Sequence, residues 1–231
     1  MRYIKILNIY FSNSLQSIIA HPAAFWIFFI SKAIRYGLFF MFLYFLSSSI
    51  GSVGGYTASQ MLIFYLVFNL VDTTSQMLFR EVYRFRPLVI SGGFDGVLAK
   101  PFPPLLRVLI GGPDYIDLSI LAILLSVFVY LLLFVIHPTY SQFFSFLILF
   151  INSLIIATAF HIFVLGIGII TLSVDHLIMI YRDLTALMRI PVDFFSDSMR
   201  ALFTFVIPLG VMFTFPAKAL LGLLSWQNIL L

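Results

Sequence analysis

The sequence predicts an all-α, polytopic membrane fold of about six transmembrane helices. An N-terminal interfacial amphipathic helix precedes them, and a re-entrant hairpin stands before the last helix. Three observations lead there. Only 10% of the 231 residues are charged and 62% are hydrophobic, whereas a soluble domain needs about 25% charge to cover its surface. The apolar runs are long and unbroken, as at 118–136; a transmembrane barrel shows short alternating segments instead. Polar residues gather in one block, REVYRFRPLVISGGFDGVLAKPFPPLLR at 80–107, which holds five of the thirteen Lys and Arg residues.

The first 21 residues are not a cleavable signal, because Asn8, Ser12, Asn13, Ser14 and Gln16 interrupt them before an apolar core forms. At 100° per residue Ile4, Leu7, Phe11, Leu15 and Ile18 share one face, with Lys5, Ser12, Asn13 and Gln16 on the other side. That pattern fits a helix lying in the membrane interface. Pro22 marks a break, and a first span follows at 28–50, with Lys32 and Arg35 near enough to its start to snorkel. A small polar loop at 51–59 leads into a second span at 60–79.

After the basic block come a third span at 116–136, a turn at His137-Pro138 and a fourth segment at 142–172. Residues 176–189 keep helical apolar spacing around Arg182 and Asp183 and are read as a fifth span ended by Pro191. The stretch 194–216 is broken by Pro208 and Pro216, too short and interrupted for an ordinary crossing, and is read as a re-entrant hairpin. A last helix begins near Lys218 and stops at Leu231, short of a full crossing.

Nine of the thirteen basic residues lie at the N-terminus, the start of the first span, or the 80–107 block, and the loops 51–59 and 137–141 hold none. Positive-inside placement therefore puts the N-terminus and the block in the cytoplasm. The net charge of +4 is accounted for by basic loops facing anionic lipid, with no nucleic-acid partner.

Several chemistries are excluded. There is no cysteine, hence no disulfide, thiol nucleophile or cysteine-ligated metal. Nothing matches G-x-x-x-x-G-K-[ST], so the chain does not hydrolyse ATP alone. His21, His137, His161 and His176 lack an i,i+4 partner and read as interfacial or packed histidines, with no metal site.

Two places could carry function. In the block, Gly92 and Gly93 precede a helical turn, Phe94 to Lys100, closed by Pro101. Asp95 early and Lys100 late complement the helix dipole, and Phe94, Val97 and Leu98 give the turn an apolar side. Such a helix suits the groove of an intracellular partner; the alternative is an elbow packed under the third span. In the spans, Asp72, Arg182 and Asp183 read either as a translocation-path or gating set or as an interhelical ion pair. The aromatic load, 18% of the chain, reads as a lining for lipidic substrates or as lipid-facing bulk.

The segment Gly93-Phe94-Asp95-Gly96-Val97-Leu98-Ala99-Lys100-Pro101 resembles the G-x-hydrophobic-D-x-x-L-x-[KR]-P segment of type-2 ABC exporter permeases, the ABC-2 family. Pro191-x-x-Phe194-Phe195, Ile207-Pro208, Phe215-Pro216 and Leu220-Leu221-Gly222 resemble that family's re-entrant region and the start of its last helix. The resemblance implies a permease in the cell membrane, six spans per subunit, and pairing with a second permease, the same or a homologous chain. It implies a coupling segment at 80–114, centred on Gly92, Gly93, Phe94, Asp95, Leu98, Lys100 and Pro101. That segment would meet a separate ATPase, which binds the ATP and Mg; this chain binds no cofactor. Pro208 and Pro216 would belong to the re-entrant gate beside the Asp72 set. Family members complete a sixth span and a basic tail, from which Leu231 departs.

Two other classes compete with this reading. Membrane phosphotransferases using CDP-alcohols carry D-x-x-D-G-x-x-A-R, then a glycine and two aspartates four apart. Here Gly92, Lys100 and Leu109 replace the first aspartate, the arginine and the glycine, and Asp114 and Asp117 are three apart. A two-metal carboxylate site does not survive those losses. An ATP-independent secondary transporter would show internal repeats around a midplane site; no repeat is found, and Asp72 is the one midplane charge.

Overall fold

The computed structural model describes residues 2–50, 52–171 and 174–224. Helix α1 (Arg2–Ala20) is separated by His21 from α2 (Pro22–Ile50). Pro22 takes the first helical position, where its missing N–H leaves no bond unmade. The expected face of α1 divides in two: Ile4, Phe11 and Leu15 are exposed, with Ile19 continuing their stripe, while Leu7, Tyr10, Ser14 and Ile18 are half-buried.

Strands β1 (Ser52–Val53) and β2 (Tyr56–Thr57) form a two-residue hairpin where only a polar loop was expected. Gly54 and Gly55 take φ of +58° and +84°, the left-handed pair that such tight turns require. A Cβ on Gly54 would come within 2.8 Å of the Phe194 ring. Thr57 then caps α3 (Ala58–Leu78) reciprocally with Gln60, a capping box. Helix α3 is buried on nearly all sides, as an all-round apolar helix must be, and packs against α2 and the later spans.

The basic block folds as a 3-10 turn (Arg80–Arg84), α4 (Phe85–Ile90), α5 (Gly93–Leu98) and α6 (Pro104–Ile110). Asp114 then caps α7 (Tyr115–Leu131) by accepting from the backbone N–H of Ile116 and Asp117. A π-helical turn prolongs α7 to Ile136 and stops at His137, whose φ is +44°. Thr139 and Gln142 cap α8 (Tyr140–Thr171) reciprocally. The bundle thus has a basic end, carrying the block, and a hairpin end, carrying β1–β2 and the start of α8.

Helix α9 (Asp175–Leu187) has 13 residues, about 20 Å of rise against a hydrocarbon core of about 30 Å. The fifth span is therefore shorter than expected as a helix, yet the chain does traverse the bundle. Asp175 pairs with Arg86 at the basic end (2.5 Å), and Asp193 accepts from Tyr56 at the hairpin end (2.5 Å). The rest of the distance is covered by the turn at 188–190 and by Pro191, which leads into a 3-10 turn at Val192–Phe194.

Next come α10 (Asp197–Ala201), continued by a π-helical turn to Val206, then a second π-helical turn from Gly210 into α11 (Phe215–Leu220). The limbs Asp197–Val206 and Gly210–Leu220 are bent by 85°. The Met212 carbonyl accepts from Ser153 (2.6 Å), thirteen residues along α8, about 20 Å below its start. Gly222 is back beside Gln142 in the first turn of α8. The hairpin enters and leaves at one end, with the bend at Pro208 near its tip. The helix expected to begin near Lys218 instead ends at Leu220, closed by the left-handed Gly222 (φ +68°); residues 225–231 lie outside the described residues.

Among the described residues, four helices are long and apolar enough to cross a bilayer, five if the bent pair is one span. Their perimeter is apolar: Ile30, Leu38, Phe42, Leu133, Phe134, Ile151 and Ile155 are all exposed.

Candidate functional site

The elbow at the basic end is built on charge pairs. Glu81 accepts from both Arg84 (2.9 Å) and Arg107 (2.6 Å), Arg80 reaches Asp114 (3.1 Å), and Arg86 reaches Asp175. Arg107 also lies over the Tyr10 ring at 4.6 Å, and the Tyr115 hydroxyl donates to the Phe11 carbonyl, so α1 is strapped to the elbow. Within α5, Phe94 meets Phe85 edge-on at 5.2 Å and Val97 is buried. Leu98 departs from the expectation of a shared apolar side: it points outward, 54% exposed. A six-residue helix can bury only one strip, and the i,i+3 pair Phe94/Val97 takes it.

Gly92 provides the left-handed link between α4 and α5, with φ +70°, and Gly93 packs on Leu88. Asp95, Lys100 and Pro101 are exposed, and Ile90, Leu105 and Leu106 add apolar surface. Four of the block's five basic residues form ion pairs, two with Glu81 inside the block and two with Asp114 and Asp175 outside it. Lys100 forms none among the described residues. The elbow is fastened within itself and to α9, and leaves Asp95, Leu98 and Lys100 exposed.

The second constellation converges in space. Asp72, Arg182 and Asp183 line one cavity of about 290 Å3 between α2, α3 and α9, together with Arg35, Phe68, Gln76, Met179, Thr185, Ala186 and Arg189. The Asp72 carboxylate accepts from Gln76 one turn on (2.7 Å), with Arg35, Arg189 and Lys32 as the cations acting on it. Arg35 lies against the Tyr36 ring (5.1 Å) and Arg189 against the Phe39 ring (5.9 Å). Among the described residues none of Arg35, Arg182 and Arg189 forms an ion pair with a carboxylate, so the interhelical pair weighed for Asp72 is not made. Gln76 and Arg189 escaped the sequence reading, and Arg35 was read there only as a snorkelling residue. Arg182 and Arg189 are seven apart, two turns on one helix face, which was the signal available for the second arginine.

Pro208 and Pro216 are not part of this cavity. They shape the bent hairpin, where a separate cavity of about 370 Å3 is lined by Asp193, Arg200, Thr204, Phe215 and Lys218, among others. Asp193 is its fastening point: Lys218 donates to one oxygen (2.7 Å) and Tyr56 to the other. The Val192 N–H reaches the buried Thr214 hydroxyl (3.0 Å). His161 is packed, its ring against Phe79 (4.7 Å) and Tyr181 (5.0 Å), with Nδ1 on the Ala157 carbonyl.

The sequence model of a family described as ABC-2 family transporter protein matches residues 33–231. No curated protein and no solved structure matches the chain.

Proposed function

From the premise that this chain belongs to the ABC-2 family of transporter membrane proteins, we propose that it is the permease subunit of an ATP-driven exporter in the cell membrane. The observation that carries the reading is the elbow. A charged, glycine-jointed turn with Asp95, Leu98 and Lys100 outward is anchored to α9 through Arg86–Asp175.

Positive-inside placement supports a cytoplasmic basic end and N-terminus, with α1 as an interfacial helix along its exposed apolar stripe. A cytoplasmic ATPase would then receive the elbow in a groove, and the ATP and Mg would bind in that partner. When two ATPases close on ATP, their differential affinity for two elbow positions shifts the permease between them. Arg86–Asp175 passes the displacement to α9, which lines the charged cavity. Charges inside a spanning region face water or protein rather than lipid, so that cavity reads as a stretch of the translocation path. A second permease, the same or a homologous chain, would complete its open side.

The test is co-purification of the tagged chain in mild detergent from its native cell. A soluble protein with Walker motifs is the expected companion. Leu98→Asp and Lys100→Glu should each reduce its recovery at least about tenfold, the equivalent of about 1.4 kcal/mol, with membrane insertion unchanged. Undiminished recovery in both variants would remove the elbow from the coupling role.

A further inference from the structure

The α2–α3–α9 cavity carries a charge that the protein does not neutralise. Its lining holds three arginines, Arg35, Arg182 and Arg189, and two acids, Asp72 and Asp183, leaving one net positive charge. Asp72 is already engaged by Gln76, and among the described residues no arginine of the three has a direct carboxylate partner. Arginine cannot shed its charge by deprotonation. Unpaired charge at membrane depth is costly and marks a substrate or ion route. The guanidinium fork matches the oxygens of phosphate, sulfonate and carboxylate. Beside these groups Phe68 and the exposed Met179 give the lining an apolar wall.

We propose that this cavity receives the oxyanion head group of an amphiphilic substrate, the arginines taking the head and the Phe68–Met179 side the adjoining apolar portion. The inference rests on reading the cavity as part of the translocation path. A cationic substrate would meet three guanidinium groups, and a purely apolar one would leave them unsolvated. Gln76 takes one oxygen of the Asp72 carboxylate.

The absence of cysteine makes the test direct. Ala186→Cys places one thiol in the lining, and Met179→Cys a second on the same helix. Each purified variant is labelled with an anionic sulfonatoethyl and a cationic trimethylammonioethyl methanethiosulfonate of similar size. The rate ratio is referred to that of a free thiol.

The anionic reagent should be favoured about tenfold, and Arg182→Gln with Arg189→Gln should bring the ratio back toward that of the free thiol. Dodecyl phosphate should protect the thiol, while dodecyltrimethylammonium and inorganic phosphate should not. A ratio at or below the free-thiol value, in a variant that labels, overturns the anionic substrate and leaves the path reading standing. Protection by inorganic phosphate equal to that by dodecyl phosphate overturns the amphiphile. Failure of both reagents at both positions shows a cavity closed to water and overturns the path reading itself.

Discussion

Lys32 and Asp117 show how one residue can hold a charge inside an apolar bundle. Asp117 is fully buried in the first turn of α7, where the helix dipole favours an acid. Its Oδ1 takes the Lys32 ammonium, while Oδ2 has no partner. Removing the lysine would leave a buried carboxylate uncompensated, a loss of about 3–5 kcal/mol. Lys32→Met should therefore lower unfolding stability in detergent by about that amount. Adding Asp117→Leu should restore most of it, because a packed apolar pair needs no desolvation. Equal loss in single and double variants would mean that the pair contributes through packing alone. The sequence showed Lys32 as a snorkelling residue near the start of a span, whereas α2 begins ten residues earlier at Pro22 and the ammonium turns inward onto Asp117. Its partner was not legible, since 85 residues separate them and only the packing of α2 on α7 brings them together.

At the scale of elements, the bent hairpin is held at its open end by a few side chains. Asp193 accepts from Tyr56 on β2 and from Lys218 on α11, so one carboxylate ties three segments. Bonds to a charged group contribute about 1.5–3 kcal/mol, and Asp193→Asn should lose a comparable amount. The readout is amide hydrogen exchange: faster exchange should be confined to 192–218, and a global rise would point to a general stability role.

Tyr56 offers a second readout. Burial, then the Asp193 carboxylate, raises its phenol above the ordinary tyrosine value. Folding thus favours the protonated phenol. Its contribution is complete below the unfolded value of about 10 and is lost as pH climbs beyond it. Alkaline titration of tyrosinate absorbance should show one late-titrating phenol fewer in Tyr56→Phe than in the parent chain.

The hairpin's turn was written in the chain as Gly54-Gly55 between Val53 and Tyr56, but two-residue strands carry no alternating pattern to announce them. The bend was legible because Pro208 and Pro216 interrupt apolar text. Its fastening to β2 was not, because Asp193 finds Tyr56 only after α9 has crossed the bundle.

For the whole molecule, the question is which ends of the chain share a side. The long apolar spans were readable because burial in lipid demands about 20 apolar residues regardless of tertiary context. The fifth crossing was ambiguous for the opposite reason: α9 has only 13 residues and carries Arg182 and Asp183, both exposed and lining the open cavity. If 175–193 crosses and the bent hairpin returns on itself, Tyr140 and Leu223 lie on one side and Lys100 on the other. If the bent pair is instead one broken span, Leu223 lies with Lys100. Tyr140, Leu223 and Lys100 are all exposed, so cysteine at each should react without disturbing the core. In intact cells an impermeant maleimide should label Tyr140→Cys and Leu223→Cys at once, and Lys100→Cys only after permeabilisation. Leu223→Cys behaving like Lys100→Cys would make the bent pair a crossing. Lys100→Cys labelling in intact cells would reverse the orientation, detach the elbow from any cytoplasmic ATPase, and leave the charge asymmetry without its usual cause.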